Sequence, residues 1–307
     1  MLQKFNERNR DLIVNINGKL VHRDQAGVSP FDSAVQGGDA VWEGLRLYDG
    51  RIFALEEHLA RLRSSALALA FESIPSNETI TAEIRRTLAA NEMKDSVHIR
   101  LTLTRGVKVT SGMDPRLNQS GPTLIVLAEH KSPVYSKAGL TLFTSTMRRP
   151  SPDVLDPKIH HANLLNSVLA KIQANAAGAD DALMLDARGF IAETNATHLF
   201  MVQDGIVRTP TVAACPEGIT RMTVLDIAAE LGVETRVAPL PVADLLRAEE
   251  VLLTSTAGGV MPVARLDGAP VGEGRPGPLT TRIRETYWAW HEDPRFTTPV
   301  EYAGVAS

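Results

Sequence analysis

Cysteine is almost absent from the sequence: Cys215 is the one cysteine among 307 residues. An internal disulfide cannot form, which agrees with a reducing compartment, and a structural zinc cluster built on cysteines is excluded. No apolar run approaches the roughly 18 to 20 residues that span a bilayer, and the first ten residues lack the apolar core of a secretory signal. The formal net charge of -4 leaves no basic excess for binding phosphates. We therefore expect a cytoplasmic protein that binds neither membrane nor nucleic acid.

What the sequence does contain is typical of a folded protein with more than one small core. Hydrophobic residues make up 44% of the chain and charged residues 22%. Three pairs of residues that tolerate positive φ predict tight hairpin turns, namely Asn17-Gly18, Asp49-Gly50 and Asp204-Gly205. Apolar residues three and four positions apart predict helices over residues 55–70, 77–91, 163–177, 219–232 and 278–293.

These patterns predict an α+β (α/β) architecture in two domains. The segment around residues 129–139 is polar and carries a proline and a glycine, so it is predicted to link the domains. We expect a smaller N-terminal domain of residues 1–130, an interdomain linker of residues 131–139 and a larger C-terminal domain of residues 140–307.

Three features of the second half could carry chemistry. Lys158 lies in a loop before a helix, where a lysine is usually solvated, whereas a Schiff-base lysine needs a partly desolvated site that favours its neutral amine. Residues 217–224, EGITRMTV, predict a helix N-terminus, which either binds a phosphate or simply starts a helix. Residues 255–259, STAGG, let the backbone approach a ligand closely or merely turn a corner.

Neither a metal site nor a hydrolase site is predicted. The adjacent side chains of His160 and His161 do not converge on one ion, and no companion ligand stands at a suitable spacing. The sequence also lacks the Gly-x-Ser-x-Gly turn that exposes a nucleophilic serine.

Seven segments, taken in order, resemble the class IV aminotransferases, the fold type IV family of pyridoxal-phosphate (PLP) enzymes. That family includes branched-chain aminotransferases, D-amino-acid transaminases, (R)-selective amine transaminases and aminodeoxychorismate lyase. The segments are GDAVWEGLRLYDG (38–50), LEEHLARL (55–62), HIRLTLTRG (98–106), the Lys158 loop, GFIAETNATHLF (189–200), PEGITRMTVLDIAAELG (216–232) and TSTAGGVMPV (254–263). The resemblance implies PLP as cofactor and a two-domain fold like that of D-amino-acid aminotransferase.

The resemblance also assigns roles to individual residues. Lys158 matches the lysine that holds the cofactor as a Schiff base and moves the substrate Cα proton. Glu193 matches the carboxylate that faces the pyridine nitrogen, and Arg61 matches the arginine that binds the cofactor phosphate. The other implied cofactor contacts are Asn163, Gly218, Ile219, Thr220, Ser255 and Thr256. The implied substrate contacts are Gly37, Trp42, Arg46, His98, Arg100, Thr256 and Ala257, and no metal ligand is implied.

Four of these positions bear on the substrate. Asn163 and Gly37 stand where many branched-chain enzymes carry tyrosines, so the usual branched-chain pocket is not expected. Arg46 and Arg100 match arginines near the substrate carboxylate in some branched-chain enzymes. Either could pair with an α-carboxylate, or either could form a structural ion pair at a dimer interface.

The substrate preference is predicted from two further likenesses. The C-terminal half resembles the (R)-amine transaminases, and GGDAVWE (37–43) resembles the D-amino-acid enzymes. We therefore expect ping-pong transfer of an amino group from a D-amino acid or (R)-amine to a 2-oxo acid. The alternatives are an L-branched-chain aminotransferase and a lyase that eliminates pyruvate from an aminodeoxychorismate-like substrate. Family members complete the active site with loops from a second subunit, so a homodimer or a higher homo-oligomer is implied.

Overall fold

The structure is a computed structural model, and it describes residues 3–133 and 139–302. Backbone contacts divide these residues into two compact units. The N-terminal unit consists of residues 3–132, 159–163 and 293–302, and the C-terminal unit of residues 133, 139–158 and 164–292. Within the predicted linker 131–139, residues 134–138 lie outside the described part of the chain.

The N-terminal unit is a sheet covered on one face by helices. Its helices are α1 (Ser33–Gly37), α2 (Leu55–Ala68) and α3 (Asn77–Ala90), with 3₁₀ turns at Glu7–Asn9 and Pro115–Leu117. Its strands are β1 (Ile13–Ile16), β2 (Lys19–His22), β3 (Ala40–Tyr48), β4 (Arg51–Phe53), β5 (Val97–Thr104), β6 (Thr123–His130) and β16 (Thr297–Pro299). The strand order is β16-β4-β3-β5-β6-β1-β2.

Strand β3 has two chemically different faces. Val41, Leu45 and Leu47 join the core formed with the apolar side of α2. Because side chains alternate along a strand, Trp42 and Arg46 project from the other face. The face opposite the helices therefore carries the predicted substrate residues of this strand.

The C-terminal unit is built on a second mixed sheet. Its helices are α4 (Pro152–Leu155), α5 (Leu165–Ala176), α6 (Ile219–Glu230), α7 (Val242–Leu245) and α8 (Pro278–Trp290). Its strands are β7 (Leu140–Arg148), β8 (Asp181–Leu185), β9 (Ile191–Thr194), β10 (His198–Gln203), β11 (Ile206–Thr209), β12 (Thr235–Val237), β13 (Glu250–Ser255), β14 (Gly259–Leu266) and β15 (Ala269–Pro270). Eight strands follow the order β12-β11-β10-β13-β14-β7-β8-β9, and β15 pairs with β14.

Local sequence signals located most elements correctly. Each of the three predicted turn dipeptides has positive φ at both residues and joins two antiparallel strands. The helix predicted over residues 163–177 instead begins at Leu165 and ends at Ala176, so that Asn163 precedes it. Among the described residues, no helix is both long and apolar enough to cross a bilayer.

The compact units differ from the predicted domain of residues 140–307 in two places. Residues 293–302 pack with the N-terminal unit, because β16 pairs antiparallel with β4. Residues 159–163 do so as well, because the His161 backbone bridges to Val41 and the Ala162 N–H donates to the Ala40 carbonyl at 2.8 Å. These pairings join residues more than a hundred positions apart, which local composition does not reveal.

Candidate active site

Helix α6 presents its N-terminus at the predicted phosphate position. It begins at Ile219 after Gly218, which has φ -5° and ψ 120° and offers no side-chain cap. The Met222 N–H donates to the Gly218 carbonyl at 2.9 Å as the first turn closes. The N–H groups of Ile219 and Thr220 therefore have no acceptor within the helix, and the positive end of the helix dipole suits an anion.

Gly218 is required here by close packing. A Cβ built on this residue would lie within 3.0 Å of the His198 ring atoms Cε1, Nδ1 and Nε2. His198 is itself held in place, since its Nε2 lies 2.8 Å from the Pro216 carbonyl oxygen. The approach to α6 therefore leaves no room for a side chain at position 218.

The turn after β13 completes an arrangement that we call the anion cup, formed by Ile219, Thr220 and Thr256. The hydroxyl oxygens of Thr220 and Thr256 lie 3.4 Å apart. Ser255 shapes the turn by accepting a hydrogen bond from the Gly258 N–H at 3.1 Å on its Oγ, and Ala257 lies within the same turn. The fold thus brings the two weak phosphate signals of the sequence together.

Glu193 on β9 is buried and ion-paired. Arg149 Nη2 lies 2.8 Å from Glu193 Oε1. Arg149 also donates to the Ser167 hydroxyl at 3.1 Å and the Ala214 carbonyl at 3.4 Å, so the guanidinium is fixed from three sides. Arg149 was not among the predicted site residues, because an arginine after a strand resembles any solvated loop cation.

Glu193 also lies near two other potential metal ligands. Ligand atoms of Glu193, His198 and Cys215 fall within 4.8 Å of one another. Burial, followed by the charge of Glu193, raises the pKa of the Cys215 thiol, so the thiolate that a metal needs is disfavoured. The Arg149 guanidinium already neutralises the carboxylate and would repel a divalent cation. The arrangement therefore suits an ion pair better than a metal.

Lys158 lies in the loop that connects α4 to α5. Its backbone N–H donates to Asp156 Oδ1 at 2.9 Å, which fixes the turn. Its side chain is 53% exposed, and Nζ lies 3.9 Å from Glu217 Oε1. Glu217 immediately precedes Gly218, so the amine extends toward the residue that leads into the anion cup.

Arg61 belongs to the N-terminal unit, where it is bound to Glu43. Its Nε donates to Glu43 Oε1 at 2.8 Å and its Nη2 to Glu43 Oε2 at 2.7 Å. One edge of the guanidinium, formed by Nε and Nη2, is thus engaged by a buried carboxylate that was not among the predicted site residues. Glu43, within the motif WEGLR, lies 18 residues before Arg61, so the pair is not a local feature.

The two candidate substrate arginines differ in their surroundings. Arg46 is fully buried, and its Nε and Nη2 donate to the Tyr48 hydroxyl at 2.9 and 2.7 Å. Arg100 instead places its guanidinium 3.6 Å from the centre of the Trp42 ring, and burial lowers its pKa to about 10. Because Arg100 remains charged near neutral pH and retains partial exposure, it is the better candidate for a carboxylate ligand.

Of the remaining predicted substrate residues, His98 and Gly37 belong to the N-terminal unit, whereas Thr256 and Ala257 belong to the C-terminal unit. Burial, with the nearby charges of Lys131, Arg46 and Arg100, lowers the pKa of His98 to about 3, so its ring is neutral at pH 7. Gly37 ends α1, and a Cβ there would meet no atom within 4 Å.

Asn163 is exposed and belongs to the N-terminal unit. A Cβ on Gly38 would lie 3.5 Å from the Asn163 Cβ. Asn163 thus lies beside Gly38, the residue that follows Gly37 at the end of α1.

Comparison with known proteins places these motifs in context. The profile described as amino-transferase class IV matches residues 40–266. Branched-chain-amino-acid aminotransferase-like protein 2 of Arabidopsis thaliana is 51% identical over 280 residues, which cover 91% of this chain and 50% of the plant protein. This chain therefore spans about half the length of that relative. The branched-chain-amino-acid aminotransferase of Escherichia coli (strain K12) is 32% identical over 282 residues, covering 89% of this chain and 90% of the relative.

A solved structure agrees with these sequence relatives. The T.th. branched-chain amino acid aminotransferase, complexed with N-(5'-phosphopyridoxyl)-L-glutamate, superposes with a TM-score of 0.88 at 34% identity. The match covers 95% of this chain and 99% of the other. The fold type IV prediction is thereby confirmed. For substrate, these relatives favour the L-branched-chain alternative over the D-amino acid or (R)-amine that the sequence likenesses had favoured.

Proposed function

Because the chain belongs to the class IV aminotransferases, a fold type IV family of PLP enzymes, we propose that it transfers amino groups from L-branched-chain amino acids to a 2-oxo acid. The anion cup is the observation that carries the proposed use of PLP. It combines helix N–H donors with the Thr220 and Thr256 hydroxyls, and Glu193 and Lys158 belong to the same unit.

These residues fit a phosphorylated pyridine cofactor. The cup supplies several neutral donors to a phosphate, the buried Glu193 carboxylate would face the ring nitrogen, and Lys158 would bind the cofactor covalently. PLP, when bound, accepts the electron pair released as a proton leaves the amino-acid Cα. We propose that Arg61 adds a cation to the phosphate and that Ser255 shapes the cup through its turn.

The residues of the chain then perform proton transfer and charge balance. Lys158 Nζ would take the proton from the substrate Cα and return it within the same site. Glu193 would keep the ring nitrogen of the cofactor protonated, and Arg149 fixes the orientation of that carboxylate. The first product leaves before the 2-oxo acid binds, which makes the reaction ping-pong.

The substrate assignment rests on the relatives and on Arg100. The relatives are named for branched-chain amino acids, and the T.th. enzyme was solved with a phosphopyridoxyl adduct of L-glutamate. We therefore propose L-leucine as a donor and 2-oxoglutarate as an acceptor. The guanidinium of Arg100 would bind a substrate carboxylate, whereas that of Arg46 is already engaged by the Tyr48 hydroxyl on the same strand.

Helix α5 supports the further proposal of a homodimer. Ala170 and Ala174 face the sheet, whereas four large apolar side chains remain exposed on the helix. These are Leu165 (69% exposed), Val168 (49%), Leu169 (47%) and Ile172 (56%). Their spacing places them on one stripe, and an apolar stripe of this kind is typical of a surface covered by another subunit.

A half-reaction spectrum tests the proposal directly. The holoenzyme is mixed separately with L-leucine, D-alanine and (R)-1-phenylethylamine, and conversion of the bound cofactor to its amino form is followed by absorbance. We expect conversion by L-leucine and reversal by 2-oxoglutarate. Conversion only by D-alanine or the (R)-amine would refute the L-branched-chain assignment, and pyruvate release from a chorismate-derived amine without any acceptor would indicate the lyase.

A further inference from the structure

Glu43 lies at the centre of a buried polar cluster in the N-terminal unit. Its carboxylate is fully buried on the helix-facing side of β3. Besides both bonds from Arg61, Glu43 Oε2 lies 2.6 Å from His58 Nδ1 and Oε1 lies 3.3 Å from His160 Nδ1. Both carboxylate oxygens are therefore engaged by groups from α2 and from the segment 159–163.

The charge balance of this cluster depends on Glu43. Burial by itself raises the pKa of the Glu43 carboxyl, but the charge of His160 and the hydrogen bonds from Arg61, His160 and His58 hold that pKa well below its usual range. Glu43 is thus ionised, and it neutralises Arg61 in a place where an unpaired charge would be costly.

The same cluster holds the chain immediately after Lys158. The His160 N–H donates to Ser65 Oγ at 3.0 Å, and the His160 Nδ1 lies 2.5 Å from the Trp42 carbonyl. The His160 ring stacks on the Trp42 indole with 4.3 Å between centroids. Two residues after Lys158, the backbone is therefore attached to β3 and α2.

We propose that Glu43 is a positioning residue that fixes the Arg61 guanidinium, through its Nε and Nη2 edge, in the orientation that binds the cofactor phosphate. The inference rests on the proposed function, since it takes PLP as the ligand of Arg61. Glu43 engages two of the three nitrogens of the guanidinium, so the phosphate would be bound from the Nη1 side.

Electrostatics and orientation predict opposite effects of removing the charge on Glu43. An amide at this position takes a negative charge away from the neighbourhood of a phosphate, which on charge alone would tighten binding. The amide also loses one of the two acceptors that orient the Arg61 guanidinium, and this loss weakens phosphate binding if orientation matters more than charge. The sign of the change in affinity therefore separates the two effects.

The test compares Glu43→Gln with the wild-type protein by equilibrium dialysis, after bound cofactor has been removed from both. Dissociation constants are measured for pyridoxamine 5'-phosphate and for pyridoxamine, which lacks the phosphate. We expect Glu43→Gln to raise the dissociation constant of pyridoxamine 5'-phosphate by about tenfold or more, which is the loss typical of a charge-assisted hydrogen bond. The dissociation constant of pyridoxamine should change by less than about twofold. In an Arg61→Met background, Glu43→Gln should have no further effect.

Asp32→Asn is the matched control. Asp32 is another fully buried carboxylate of the N-terminal unit, bonded to Thr104 and Thr123, and its loss should leave the ratio of the two dissociation constants unchanged. If Glu43→Gln does not fold, Arg61→Lys serves instead. It keeps the cation but removes the planar fork, and it should lose as much phosphate-dependent affinity as Arg61→Met.

Four outcomes would overturn the inference. These are tighter binding of pyridoxamine 5'-phosphate to Glu43→Gln, unchanged binding of that ligand to Glu43→Gln, equally weakened binding of both ligands to Glu43→Gln, and wild-type affinity for pyridoxamine 5'-phosphate in Arg61→Lys. If the wild-type protein binds neither ligand, the proposed function itself is refuted. If the wild-type protein binds both ligands and Glu43→Gln binds them with the same affinities, only the role of Glu43 is refuted.

Discussion

Substitution of Gly218 by alanine tests the anion cup most directly. A Cβ at this position would overlap three atoms of the His198 ring, and no flexible chain end is available to yield. His198 must therefore move, with loss of its hydrogen bond to the Pro216 carbonyl. Overpacking costs about 1 to 3 kcal/mol and a lost hydrogen bond about 1 kcal/mol, which together give roughly 2 to 4 kcal/mol.

If this cost arises when the anion cup holds its ligand, the affinity for pyridoxamine 5'-phosphate drops roughly 30- to 1,000-fold. The dissociation constant is measured for Gly218→Ala and for Gly27→Ala, a control whose new Cβ meets no atom within 4 Å. Truncation of His198 to alanine removes the obstructing ring, so Gly218→Ala should cost far less in that background. Affinity within about threefold of wild type, or an equal loss with and without the His198 ring, would refute the packing argument.

Three further predictions follow from the site and from α5. Lys158→Ala should abolish transamination, and borohydride reduction followed by mass spectrometry should find no cofactor attached to the chain. His98→Gln should lessen the acid sensitivity of folding. The folded-state pKa of His98 is about 3 and its unfolded-state pKa is about 6.5. Because only the unfolded chain binds a proton at His98 between these values, the free energy of unfolding falls as the pH drops below 6.5. Between pH 7 and pH 5 this group should account for about 2 kcal/mol of the loss in urea unfolding free energy, and an unchanged pH dependence in the variant would contradict the assignment. Leu169→Glu should lower the molar mass measured by light scattering from two chains to one, whereas an unchanged dimer would place the interface elsewhere.

Much of the fold was predictable because it depends on local preferences. Asn17, Asp49 and Asp204 each precede a glycine in a turn that requires positive φ, and the structure has those turns. The apolar spacing from Leu55 onward predicted α2 because the spacing repeats with the helical turn. These signals act over a few residues, so they can be recognised without knowledge of the rest of the chain.

The sequence by itself also determined which residues are candidates for the chemistry, because the ordered motifs around Lys158, Glu193 and Arg61 resemble one family and the comparisons confirm that family. It left open which of Arg46 and Arg100 is suited to a carboxylate. The structure favours Arg100, because Arg46 is fully buried against Tyr48.

Only the tertiary structure decided the partners of the charged groups. Arg149 reaches Glu193 across 44 positions of sequence, and Glu43 binds both Arg61 and His160, which lie 99 positions apart. Burial makes such pairings necessary, because a charge removed from water needs a counter-charge wherever the fold supplies one. A residue's type shows that it requires a partner, but only strand and helix packing determines which residue becomes that partner.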